Sequence, residues 1–137
     1  MKLFLIRHGE SKGNKEQRFR GRADFELTEN GIKQAHRIAE YIKTEKIEMI
    51  YTSPLKRAVQ TAEIISNAVK TEYEISQALN NINLGVWEGK KKDYVEKHFK
   101  KEWNVWIREP EKLQIEGMES VSKMKKRISK EIKRIKK

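Results

Sequence analysis

Apolar positions along the chain fall into short blocks separated by polar segments, and the spacing inside each block changes from one to the next. Lys2-Leu3-Phe4-Leu5-Ile6 is an almost continuous apolar run broken by Arg7-His8-Gly9-Glu10. It predicts a buried strand over residues 2–6 that empties into a polar loop, with His8 at the strand's C-terminal end. Residues 11–26 are polar, carry Gly13, Gly21 and Arg18, Arg20 and Arg22, and keep no period, which predicts mostly loop. Thr28 reads as a helix cap, followed by Ile32, Ala35, Ile38, Ala39 and Ile42 at helical spacing. Residues 47–52 (IEMIYT) predict a second strand, and Ser53-Pro54 a helix start with proline at the first helical position. Ala58, Thr61, Ala62 and Ile65 form that helix's buried face, and residues 71–76 predict a third strand. Strands separated by helices of this length imply right-handed crossovers onto a parallel sheet, so the class is α/β.

Beyond residue 80 the pattern changes. Leu84-Gly85-Val86-Trp87-Glu88-Gly89 predicts a turn-rich connector, and Tyr94, Phe99, Trp103, Trp106 and Ile107 an aromatic helix face that ends at Pro110. Val121, Met124, Ile128, Ile132 and Ile135 recur every three or four residues, as in an amphipathic terminal helix. No repeat or low-complexity linker interrupts residues 1–137, which suits a single domain.

Composition sharpens this in three ways. A 36% apolar content can build a core, while 37% charged residues, rich in Lys and Glu, is a balance that heat-adapted proteins often show. With no cysteine, disulfides and thiolate metal sites are excluded, and three scattered histidines do not make a zinc site; neither metal nor other cofactor is expected. The apolar run at the start is far too short for a signal core or a membrane span, so the expected compartment is the cytoplasm and no membrane partner is expected. The net charge of +11 suggests nucleic acid until its distribution is considered: residues 121–137 hold nine Lys or Arg against Glu131 and so carry +8 of it. An outer helix face dressed in lysine explains that without a nucleic-acid or membrane partner.

Two constellations carry candidate chemistry. Arg7-His8-Gly9-Glu10 follows a strand, where an imidazole can be held rigidly and a glycine would let backbone approach an anionic ligand. Ser53-Pro54-Leu55-Lys56-Arg57 puts Arg57 in the first turn of a helix, where the dipole and unpaired amides favour anions. Each alone is as readily a surface turn or a solvated arginine. Parallel strands, however, bring both turns to one sheet edge, so Arg7, His8 and Arg57 can converge.

These residues, with LIRHGES (5–11), Asn14, GRADFELTENGIKQA (21–35), YTSPLKRAVQTA (51–62), LGVWEG (84–89) and GMES (117–120), resemble the histidine phosphatase superfamily in its phosphoglycerate mutase-like branch. The resemblance implies a three-layer sandwich with a mainly parallel sheet flanked by helices. It also implies that His8 is a nucleophile forming phosphohistidine, with Arg7 and Arg57 catalytic and, together with Asn14 and Gly21, binding a phosphorylated small metabolite.

Two departures stand out. The family carries a second histidine on a further C-terminal strand, which this chain does not contain, and neither His36 nor His98 has the matching context. Where the family has a glutamate acid, this chain has Asn81, leaving Asp24, Glu26 or Glu88 as substitutes, with Glu10 more suited to tuning the pocket. The family's missing strand lies between those represented by residues 2–6 and 47–52, so either these close up or an edge stays bare for a second copy to cover. Three functions are thereby framed: a phosphatase or mutase; a non-catalytic phosphate-binding relative; and, least favoured, a basic helix contacting nucleic acid or membrane.

Overall fold

In this computed structural model, which describes residues 1–137, the elements run α1 (Lys12–Lys15), α2 (Glu29–Ile42), β1 (Ile50–Thr52), α3 (Lys56–Val69), β2 (Tyr73–Ile75), α4 (Lys92–His98), α5 (Lys100–Arg108) and α6 (Val121–Ile135). Thr28 caps α2 as expected, its Oγ1 accepting from Gly31 N at 3.0 Å. The buried stripe of α2 is Gly31, Ala35, Ala39 and Ile42, four or three apart, and its three small residues let α3 lie close against it. Ala39, Ile42 and Ile65 form a core that gathers Ile50, Ile64 and Val69 around it.

The two strands pair in parallel, Ile50 with Tyr73, Tyr51 with Glu74 and Thr52 with Ile75. Side chains alternate across the sheet, so Ile50 joins the α2/α3 core while Tyr51 and Glu74 face the other way. There they meet α6: the Arg134 guanidinium lies 5.3 Å from the Tyr51 ring centroid and bonds Glu74 at 2.6 Å. Helices on both faces of a parallel sheet make an α/β sandwich, in the class that the pattern predicted and with the layers that the resemblance implied. No helix is long and apolar enough to cross a membrane.

Three expectations are corrected. Residues 2–6 are not a strand: residues 1–8 make no hydrogen bond from backbone to backbone, and Leu3 (48%), Leu5 (85%) and Ile6 (39%) are exposed. A strand is a property of a pair, and β1 has only β2 as its neighbour, so an apolar run without a ladder partner stays extended but unpaired. The two segments have not closed up; the β1 edge away from β2 is bare. Second, α3 starts at Lys56 with Leu55 as its cap, leaving Pro54 outside the helix. Third, the aromatic segment is two helices broken at Phe99.

A second core holds the chain's other half. Trp87 is fully buried with Phe19, Val95 and Leu113, its ring 4.8 Å from that of Phe19, and Phe99, Trp103 and Trp106 surround them. Phe19 thus ties the loop of residues 11–26 to the connector, reinforced by Phe19 N to Lys90 O and Gly89 N to Phe19 O, both 2.9 Å. Trp87→Ala is expected to cost about 3–5 kcal/mol in denaturant unfolding. Trp87→Phe should cost much less, because the indole Nε1 has no hydrogen-bond partner to lose.

Glu131, the one acid of α6, turns inward: Oε1 accepts from Ser76 Oγ at 2.6 Å and from Arg134 Nη2 at 2.7 Å. The Arg134 bonds first, then Ser76, hold its carboxyl down at about 2. A depressed carboxylate stabilises the fold above its ordinary value, and that contribution is lost as pH falls through the folded value. Glu131→Gln should therefore lower the melting temperature at pH 7, with the gap to wild type closing as pH is taken from 4.5 to 2.

Candidate active site

His8 is half-buried where the unpaired N-terminal segment meets the helices. Its Nδ1 lies 2.7 Å from Gly9 O. A carbonyl can only accept, so Nδ1 carries the proton and Nε2 keeps a free lone pair. Burial, as the largest cause, and the positive charges of Arg57, Arg7 and Arg20 push the imidazole below its ordinary value of 6.5, against the opposing pull of the Gly9 carbonyl. At neutral pH it is an uncharged base.

What fixes His8 lies just after it. Gly9 N donates to Thr61 Oγ1 at 3.2 Å, and that hydroxyl donates to Arg57 O at 2.7 Å, so the histidine turn and the start of α3 share one side chain. A Cβ on Gly9 would sit 2.2 Å from Gly31 O, so the absence of a side chain here lets the backbone approach α2. Glu10 continues the attachment: its N donates to Gln34 Oε1 at 2.8 Å and its carboxylate accepts from Thr28 Oγ1 at 2.6 Å.

Arg57, at the second position of α3, is 1% exposed, and its guanidinium turns to carbonyls: Nη2 to Gly21 O at 2.7 Å and Nη1 to Ala23 O at 2.9 Å. Burial and then the charge of Arg20 lower its pKa, while Asp24 and Glu88 oppose them. Arg20, which the sequence argument did not separate from its neighbours, is likewise depressed by burial and by Arg7. Its two companions are engaged elsewhere, Arg18 with Glu16 and Gly89 O, Arg22 with Asn81 O and Glu119. None of Arg7, Arg20 and Arg57 forms a salt bridge. A neutral imidazole among three cations without carboxylate partners is a site with unspent affinity for an anion. Beside it opens a cavity of about 330 Å³ lined by Arg7, His8, Gln34, Arg37 and Thr61 among others. A depression of about 400 Å³ on α6, lined by lysines and Ser129, shares no residue with it.

The histidine phosphatase superfamily (branch 1) matches residues 3–137. This chain belongs to that superfamily. It is 34% identical over 128 residues to phosphoserine phosphatase 1 of Hydrogenobacter thermophilus, covering 93% of this chain and 61% of the relative. A protein named probable phosphoglycerate mutase GpmB, from Yersinia pestis, is 38% identical over 90 residues, which are 66% of this chain and 42% of the relative. Among solved structures, Bacillus stearothermophilus YhfR superposes with a TM-score of 0.89 at 30% identity, covering 94% of this chain and 64% of that one. A phosphoglycerate mutase from Bacillus anthracis at 23% identity shares the fold with a TM-score of 0.83, over 93% of this chain and 64% of its own length. The chain thus spans about three fifths of the length of the curated Hydrogenobacter thermophilus relatives that it matches.

Within this histidine phosphatase domain the remaining candidates fall into clear positions. Asn14 is used locally: its Oδ1 accepts from Ser11 N and Ser11 Oγ in the box that caps α1. Gly21 has φ of +44° and supplies the carbonyl that receives Arg57. The substitute acids are all engaged. Asp24 Oδ1 accepts from Lys56 N at 2.7 Å, capping α3 from 32 residues upstream; Glu26 pairs with Lys12; and Glu88 accepts three backbone N–H groups. Asn81 is exposed and folds its Oδ1 onto Ile82 N. His36 is exposed on α2, and His98 is stacked on Tyr94 at 4.0 Å.

The proton balance at His8 is directly measurable. Its titration midpoint, followed by ring-proton NMR, is expected below 6.5, and Arg57→Ala should raise it part of the way back, leaving the part due to burial.

Proposed function

We propose that this domain transfers the phosphoryl group of a small phosphorylated metabolite to His8 Nε2 and then to water, acting as a phosphatase. The observation that carries the reading is the neutral imidazole with its free nitrogen among Arg7, Arg20 and Arg57, none of them spent on a carboxylate. Nε2 attacks phosphorus in line, the bond from phosphorus to the ester oxygen breaks, and the leaving oxygen carries away the electron pair. Water then attacks the phosphohistidine, releasing inorganic phosphate and returning the lone pair to Nε2. The arginines stabilise the negative charge on the equatorial oxygens, which is most of what phosphoryl transfer asks of a protein. Asn14 and Gly21 are assigned to the phosphate side through the family resemblance, Gly21 through the loop that receives Arg57.

The phosphatase reading over the mutase one is supported by the more fully matched relative, a phosphoserine phosphatase, and by the short connector after Gly89. Leaving-group chemistry narrows the substrates. With Asn81 in the acid's position and Asp24, Glu26 and Glu88 engaged, none of these four side chains is poised to protonate the departing oxygen. A general acid is worth about 10²–10⁴ in rate, so esters of good leaving groups are the substrates least affected. The same engaged carboxylates favour a second reading, a domain that binds phosphometabolites without turning them over.

One comparison separates the two. Hydrolysis of an activated aryl phosphate is expected from this chain without added metal and is expected to vanish in His8→Ala. If neither protein hydrolyses it but phosphate raises the melting temperature of the wild type, the binding reading replaces the enzymatic one.

A further inference from the structure

Glu88 is the residue whose role the proposed chemistry leaves open. It follows the short 3₁₀ turn Gly85–Trp87 and is anchored by the fully buried Trp87 before it and by Gly89, whose N donates to Phe19 O at 2.9 Å. Its side chain spends every strong contact on one loop and its own turn. Oε1 accepts from Arg22 N at 2.9 Å and Leu84 N at 2.7 Å, and Oε2 accepts from Ala23 N at 2.7 Å.

The other side of that loop belongs to Arg57. Gly21 O and Arg22 N are the two polar ends of a single peptide group, and in a trans peptide they point in opposite directions. One end receives Arg57 Nη2 at 2.7 Å and the other donates to Glu88 Oε1 at 2.9 Å. Carboxylate, peptide and guanidinium therefore form one polarised chain, in which each hydrogen bond strengthens the next. Ala23 adds a second, looser link, its N donating to Glu88 and its O accepting from Arg57 through two successive peptide groups. Gly21 allows the close approach: a Cβ there would lie 2.2 Å from Glu88 Oε1.

We propose that Glu88 is a positioning residue that fixes the direction of the Arg57 guanidinium through the Gly21-Arg22 peptide group, and so holds the phosphate-binding geometry of the site. The assignment of that geometry to phosphate rests on the function proposed above; the coupling of Glu88 to Arg57 does not. The coulombic pull of Glu88 on Arg57 is in the direction that this arrangement requires.

The test uses the 137-residue chain and Glu88→Gln, which keeps the shape but sets an amide nitrogen against a backbone N–H. Without ligand, the Arg57 side-chain nitrogen resonances should be dispersed in wild type and collapse or broaden in the variant, while the amide shifts of α2 and α3 hold. An unchanged Arg57 signal in folded Glu88→Gln overturns the proposal. With inorganic phosphate as the probe, Glu88→Gln should weaken binding about tenfold in the wild-type background and leave it unchanged in Arg57→Ala. An equal loss in both backgrounds would mean that Glu88 only supports the fold, and overturns the proposal as well. If wild type binds no phosphate, the functional reading fails while the resonance experiment still decides the coupling. Should Glu88→Gln not fold, Glu88→Asp, which keeps the charge but shortens the reach, is read in the same two ways.

Discussion

A buried guanidinium without a carboxylate is the constraint around which this domain is arranged. Removing a cation from water costs several kcal/mol unless hydrogen bonds and nearby charge offset it. For Arg57 the offset comes from two backbone carbonyls, with the carboxylates of Asp24 and Glu88 standing behind the same loop without touching the guanidinium. Compensation through dipoles differs from compensation by direct ion pairing in one respect that matters: the positive charge stays uncancelled at the site. Arg7 and Arg20 add to that potential and are themselves unpaired, so the region is held in a state that an anion relieves.

The loop of residues 21–23 can do this only because two cores grip it from different sides. Phe19 sinks into the aromatic core with Trp87, setting the loop's entry, and Asp24 caps α3, setting its exit. The α2/α3 core holds the helix that carries Arg57 and Thr61. Site and cores are thus a single construction: the aromatic core positions carbonyls, the aliphatic core positions the cation, and the hydrogen bonds between them close only when both are packed.

Much of this was legible in the chain and some was not, for physical reasons. The cap of α2 and the apolar stripe of α6 follow from local periodicity, whereas Ile32 and Ile38, read into the α2 face, are exposed, and His8 is joined to the start of α3 through Gly9 and Thr61 rather than through a parallel sheet. Residues 2–6 read as a strand because their composition suits one, but pairing depends on a neighbour that no local pattern reveals. Pro54 read as a first helical residue although Leu55 caps the helix and Lys56 begins it, a two-residue shift common at helix starts. Phe19 in the core, Asp24 on Lys56 N and Glu88 across the Gly21-Arg22 peptide are contacts between residues 32 to 68 positions apart, for which spacing carries no signal. The candidate acids illustrate the point: each is chemically able to donate a proton, and only the fold shows that each is already engaged.

The bare strand edge bears on how His8 is held. In a sheet, a residue at a strand's end inherits its rigidity from the ladder behind it; here the segment before His8 has no ladder. Rigidity arrives from the other direction, through Gly9 on Thr61, Gly9 against Gly31 and Glu10 on Thr28 and Gln34. Since the Nδ1 bond to Gly9 O ties the ring to that anchored stretch, the imidazole's orientation follows α2 and α3 rather than the sheet. The stretch around His8 is therefore fixed by helix starts and a shared threonine rather than by strand pairing.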